Sequence, residues 1–194
     1  MNRTNIPAIV FAGLVIVGTA CGGDGNADGS SSPTEPSTTE PSAGHDDGHD
    51  DMAVMIDGVD YHFEHVPESV DAGTRLGFRN TSASELHELV AFRVDSDMPL
   101  AELLTLPPDE LEATLGAPIT VLLQPPGAPE PIMAVGDGTL TDPGRYVLMC
   151  FIPIGADPDE YLAAVAAAGG GKPEGVAGGP PHFTGGMFAE LVVE

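Results

Sequence analysis

From residue 53 to its end, the chain is a succession of short apolar runs, each closed by glycine, proline, asparagine or aspartate. That rhythm leaves room for little except strands joined by turns. Val54-Met55-Ile56 leads to Asp57-Gly58, a turn dipeptide, and then to Val59-Asp60-Tyr61-His62-Phe63. Asp71-Ala72-Gly73 turns the chain into residues 74–80, which alternate as a half-buried strand does. Further strands are expected at 86–94, 119–123, 133–135, 145–151 and 187–193, the fourth of these fed by the turn Thr141-Asp142-Pro143-Gly144. Short strands with Gly/Pro turns predict an all-β domain, a β-sandwich, over 53–194. Three short helices interrupt it. One spans 99–104 with Pro99 leading, and another spans 109–115 and stops at Gly116. The third starts where Asp157, Pro158 and Glu160 make a capping-box-like N-terminus, and it ends at Gly169-Gly170-Gly171.

Before this domain the chain has a different character. Residues 1–20 read as an export signal: Arg3, an apolar run over 6–17, then Gly18-Thr19-Ala20 ahead of Cys21. The run is too short to cross about 30 Å of hydrocarbon, which takes ~20 helical residues. Small residues ending in cysteine suggest that Cys21 is acylated and becomes the mature N-terminus. Gly18 stands where such signals usually have an aliphatic residue, and the alternative is an ordinary cleaved signal peptide. Both place the protein outside the cytoplasm. The first adds a lipid anchor on the extracytoplasmic face of a bacterial membrane, in the periplasm or at the cell surface.

Residues 21–52 hold Gly, Ser, Thr, Pro and acids, a composition that predicts a disordered tether. The tether ends in a repeated unit, Gly44-His45-Asp46-Asp47 and Gly48-His49-Asp50-Asp51. Its imidazoles and carboxylates suit weak divalent-metal binding, although a solvated acidic tether explains them as well.

The charge balance excludes one class of partner. With 6 Lys+Arg against 30 Asp+Glu, the net charge of −24 repels nucleic acid and anionic headgroups and favours a cationic partner. Cysteine usage is sharper still. There are only two, and if Cys21 carries lipid, Cys150 is a lone thiol in an oxidising compartment. Such a thiol persists when it is buried or held by a metal.

Its surroundings favour the metal. Cys150 ends the run Pro143-Gly144-Arg145-Tyr146-Val147-Leu148-Met149; His182-Phe183-Thr184-Gly185-Gly186-Met187 precedes the last strand; Asn80-Thr81-Ser82 precedes His87. Taken singly, His87 reads as a strand-end histidine, Met187 as core and Cys150 as a small buried hydrophobe. In this order they resemble the cupredoxins, whose Pro-Gly-x-Tyr-x-x-x-Cys strand is followed by His and, five residues on, Met. The resemblance covers roughly residues 54–194 and implies a Greek-key β-sandwich holding one type 1 copper ion. His87, Cys150 and His182 would be its equatorial ligands and Met187 its axial one. Soft sulfur donors suit Cu(I), while imidazoles suit both oxidation states. His62 and His65 are assigned no role.

Three departures from the family stand out. Between Cys150 and His182 lie 31 residues, holding the third helix and a Gly/Pro tract, where cupredoxins have a few. The insertion near 154–181 puts the preorganisation of His182 in question. Glu88 follows His87 where Asn is common, and a helical insertion near 98–118 is expected to cover an edge of the sandwich. No His flanks Cys150, no second Cys lies in the loop and no nucleophile–base pair is visible. The resemblance therefore implies a single-electron carrier rather than an enzyme, with a redox partner that has a basic docking surface. Two rivals remain: copper capture or delivery, with His45 and His49 loading the site, and a metal-free interaction module.

Overall fold

The computed structural model of the chain describes residues 53–169 and 172–194. The export signal with Cys21, the tether with His45 and His49, and Gly170-Gly171 lie outside the described residues.

The strands are β1 (Val54–Val59), β2 (His62–Glu64), β3 (Ser69–Val70), β4 (Thr74–Asn80), β5 (His87–Val94), β6 (Thr120–Gln124), β7 (Ile132–Val135), β8 (Thr139–Leu140), β9 (Gly144–Met149) and β10 (Phe188–Val193). They form a four-stranded sheet, β2-β1-β4-β8, and a six-stranded sheet, β3-β10-β9-β5-β6-β7. Both sheets are mixed: β1 runs parallel to β4 and β10 parallel to β3, while the remaining pairs are antiparallel. The all-β sandwich with short helices expected from the residues is the architecture observed.

The period of two in a strand explains the layers. On β5 and β9, Leu89, Ala91, Tyr146 and Leu148 point between the sheets, where they meet Ile56, Leu76, Phe78, Leu140 and Leu191. Their neighbours Val90, Phe92, Val94, Val147 and Met149 point the other way, onto Leu103 of α1 (Leu100–Leu103) and Leu111 and Leu115 of α2 (Pro108–Leu115). The insertion near 98–118 thus covers a face of the six-stranded sheet, not the edge expected for it. Residues 89–92 of β5 and 146–149 of β9 face apolar groups on both sides for that reason, and they read as unbroken apolar runs instead of alternating ones.

A second correction concerns the first hairpin. Asp57-Gly58 is not a turn; β1 runs straight through it and the chain reverses at Asp60-Tyr61, with Tyr61 at φ 66°. Distant partners override the local turn signal. The Asp57 carboxyl is buried inside the strand and accepts from Arg79 Nε at 2.8 Å and Nη2 at 2.6 Å. His65 Nδ1 is 3.1 Å from Oδ2, the oxygen that Arg79 Nη2 also meets.

Arg79, with His65 adding to it, outweighs the cost of burial and holds the Asp57 carboxyl below its ordinary value. A depressed carboxylate stabilises the fold above the unfolded value, about 3.9, and loses that contribution as pH falls through the folded one. Arg79→Met is therefore expected to destabilise the protein near neutrality, with a difference from wild type that shrinks as pH falls below the unfolded value and through the lower folded one. Denaturant midpoints across that range measure it; a constant difference would mean that Arg79 acts through packing alone.

Candidate metal centre

Three elements bring their ends together at one pole of the sandwich. His87 is the first residue of β5, Cys150 follows the last residue of β9, and His182 opens a 3-10 turn, His182–Gly185, that leads into β10. The loop before His87 is fixed by buried polar groups. Asn80 Nδ2 donates to the carbonyls of Glu85 and Gln124, both at 2.8 Å, and its Oδ1 accepts from Ser82 N–H at 2.9 Å. Ser82 Oγ in turn accepts the N–H of Glu85 at 3.0 Å. An Asx turn followed by a Ser turn leaves this loop little freedom.

The long Cys150-to-His182 segment is fastened at its root. Phe183 N–H donates to the Cys150 carbonyl (2.9 Å), His182 N–H to Ile152 (2.9 Å) and Ile154 N–H to Pro180 (3.0 Å), while Gly179 N–H returns to Ile154 (2.8 Å). This antiparallel clasp needs close backbone approach: a Cβ on Gly178 would sit 2.5 Å from Cβ of Pro153. Beyond the clasp, α3 (Pro158–Ala168) begins at Asp157, whose carboxylate accepts from the N–H groups of Asp159 and Glu160, and it ends at Gly169 in the left-handed conformation. His182 is placed by the clasp, so the length of the insertion beyond it does not loosen the site.

Within the site His87 Nδ1 stands 3.1 Å from His182 Nδ1, and Cys150 Sγ stands 3.3 Å from the same atom. All three donors lie within 4.8 Å of one another, and all three residues are fully buried. Donors around one ion at about 2.0–2.3 Å stand roughly 3–4 Å apart, so a single ion fits among them. The protonation chemistry asks for one. Two Nδ1 atoms facing each other can share only one proton, and His182 Nε2 is buried with no hydrogen-bond partner among the described residues.

Burial, and then the neighbouring His87, push His182 down to about 4, while burial lowers His87 against the pull of Asp60. Both imidazoles are thus held neutral, which is the ligating form. Burial raises the Cys150 thiol well above its usual value, with the Glu88 charge adding to the effect. Only a cation at the centre would make the thiolate favourable there.

Met187 is fully buried in the same apolar cluster as Cys150, with Leu86, Leu123, Ile152 and Tyr161. Its carbonyl accepts the Cys150 N–H at 3.1 Å and its N–H donates to the His182 carbonyl at 3.2 Å, so it is pinned to both. A Cβ on Gly58 would lie 2.7 Å from Cζ of Phe78 and 3.2 Å from Cε of Met187. Gly58→Ala is expected to cost about 1–3 kcal/mol through overpacking. It is also expected to disturb Met187, and metal-bound spectra beside a thermal melt test both effects; unchanged values in both would place Met187 clear of that contact.

Glu88 bridges the ligand strands. Oε1 accepts the Phe151 N–H at 3.0 Å, and Oε2 faces the Tyr161 hydroxyl of α3 at 3.4 Å. Burial pushes this carboxyl up to about 7 even so.

Three residues near the site carried no signal in the sequence. Asp60 Oδ1 lies 3.4 Å from His87 Nε2, and Glu85 Oε2 lies 3.5 Å from His182 Nε2. Tyr61 sets its ring edge-on against His182, with centroids 5.1 Å apart. Each comes from a different stretch of chain from the ligand it meets, and residues 59–63 read as a strand.

No protein-family model matches the chain, and no curated protein matches it. Among solved structures it is similar to dithionite-reduced auracyanin from Roseiflexus castenholzii, at 21% identity over 73% of this chain and 96% of that one, with a TM-score of 0.40. It is similar also to auracyanin A, a "blue" copper protein from Chloroflexus aurantiacus, at 18% identity over 74% and 98%, with a TM-score of 0.41. Auracyanin B is a third, at 17% identity over 73% and 88%, with a TM-score of 0.33.

Proposed function

We propose that the domain is a cupredoxin-like, mononuclear type 1 copper protein that carries single electrons outside the cytoplasm, anchored to the extracytoplasmic face of a bacterial membrane through an acylated Cys21. One observation carries the reading: two imidazole Nδ1 atoms and one thiol converge, fully buried, at the pole of a β-sandwich. Bound there, copper supplies one-electron chemistry between Cu(II) and Cu(I). The chain does the rest. His87 and His182 would hold the ion through imidazole nitrogens, Cys150 through its thiolate and Met187 through its thioether. Because backbone hydrogen bonds hold these residues, their spacing would change little between oxidation states. Full burial of the ligands keeps water out of the coordination sphere, and the acidic surface suits a redox partner with a basic face.

Adding Cu(II) to the protein tests the proposal. One equivalent is expected to give an intense visible absorption from the thiolate–Cu(II) bond, bleached by reductant and restored by oxidant. A colourless Cu(II) form would remove the type 1 assignment.

A further inference from the structure

Resting on the copper reading, we infer that Asp60 and Glu85 are positioning residues, a pair of carboxylates that orient the two ligand imidazoles and bias the centre towards its more positive oxidation state. Each ligand histidine presents Nδ1 inward, and each has a carboxylate oxygen as the anionic neighbour of Nε2: Asp60 Oδ1 at 3.4 Å from His87 and Glu85 Oε2 at 3.5 Å from His182. A metal-bound imidazole carries its proton on the other nitrogen, and a negative charge facing that nitrogen favours that tautomer and orientation. The ring edges of both ligands thus end on acid groups rather than in water, for both histidines are 0% exposed.

Both carboxylates are themselves held. Asp60 sits in the β1–β2 turn beside Tyr61, whose φ of 66° is uncommon for a residue with a side chain. Gly185 and Gly186 let this turn approach: a Cβ on Gly185 would lie 3.4 Å from Cβ of Tyr61, and one on Gly186 would lie 3.2 Å from the Tyr61 carbonyl. Glu85 Oε2 accepts the Gly155 N–H at 3.1 Å, at the foot of the long insertion. One carboxylate is therefore delivered by the first hairpin and the other is steadied by the inserted segment.

The electrostatic consequence has a definite sign. A fixed negative charge attracts a doubly charged ion twice as strongly as a singly charged one. Both carboxylates then favour Cu(II) over Cu(I) and hold the reduction potential down. Removing either charge weakens Cu(II) binding more than Cu(I) binding.

The test uses the full protein and its Asp60→Asn, Glu85→Gln and doubly substituted variants. Affinities for Cu(II), Cu(I) and Zn(II) are measured by chelator competition, and the potential by spectroelectrochemistry. Glu85→Gln keeps an oxygen for the Gly155 N–H, and a thermal melt of the metal-free variants checks the fold. Each single variant is expected to lower the Cu(II)/Cu(I) affinity ratio about tenfold, from the unequal pull of one carboxylate on a doubly and a singly charged ion. That corresponds to a potential higher by about 59 mV. An unchanged ratio and potential in the double variant would overturn the inference while leaving the copper site intact. If the wild type gives no thiolate–Cu(II) band, the copper reading fails, and Zn(II) decides what is left. A tenfold loss of Zn(II) affinity in the double variant keeps the positioning role, equal affinities remove it, and a wild type that binds none of the three metals removes both.

Discussion

Cys150→Ser is expected to abolish the visible absorption of the Cu(II) form and to weaken Cu(I) binding more than about a hundredfold, beyond the 10–100-fold typical of losing a group that merely supports a ligand. The substitution changes almost nothing in size. It exchanges a soft sulfur for a hard hydroxyl, which is a poor donor to Cu(I) and gives no low-energy charge transfer to Cu(II). Because Cys150 is fully buried, the serine hydroxyl also loses water, at a cost of about 1–3 kcal/mol. The fold should survive this, since Cys150 is fixed through its main chain, by the Met187 carbonyl and the Phe183 N–H, and those bonds do not involve the thiol. Far-UV circular dichroism separates a lost ligand from a lost fold. A variant that keeps its colour would exclude Cys150 from the coordination sphere.

Tyr146→Ala is expected to be the most damaging single change in the domain that leaves the ligands untouched. The ring is fully buried between the sheets, and its hydroxyl donates to the Asp142 carbonyl at 2.9 Å, tying β9 to the turn that launches it. Truncating a buried aromatic costs about 3–5 kcal/mol, a large share of the 5–15 kcal/mol that holds a typical domain together. The melting temperature should fall by about 10–20 °C. Tyr146→Phe isolates the hydroxyl and should cost only about 0.5–1.5 kcal/mol. Equal losses in the two variants would show that the bond to the turn, not the ring, carries the effect. The tyrosine in the Pro-Gly-x-Tyr-x-x-x-Cys run thus has a mechanical role: it anchors the strand that delivers Cys150.

Much of this was legible in the residues, for identifiable reasons. β4 was readable because its two sides face different media, so its side chains alternate. The start and stop of α3 were readable because Asp157 and Gly169 act on backbone groups close by. The convergence of His87, Cys150 and His182 was readable only from their joint order along the chain, which resembles that of the cupredoxins; taken singly, each has an ordinary explanation. Where reading stopped, the deciding partner lay far along the chain. Asp57-Gly58 has turn chemistry, yet Arg79 neutralises the buried acid and the Phe78 ring covers the glycine, so a strand results. β9 hides its alternation because α1 and α2 make its second face as dry as its first. Asp60 and Glu85 carry no motif at all; only the closed sandwich puts them beside Nε2 atoms more than two dozen and almost a hundred residues away, respectively.

The clasp between residues 150–154 and 179–183 divides the chain's labour. The backbone bonds that fix Cys150 and His182 lie at the clasp, and α3 begins beyond it. The inserted segment is in effect a cartridge with one fixed corner: Ala156 and Tyr161 are buried in the cluster that holds Cys150 and Met187, so only its exposed positions can change without reaching the candidate ligands. Those exposed positions can vary apart from His87, Cys150, His182 and Met187, even though the two sets are neighbours in space.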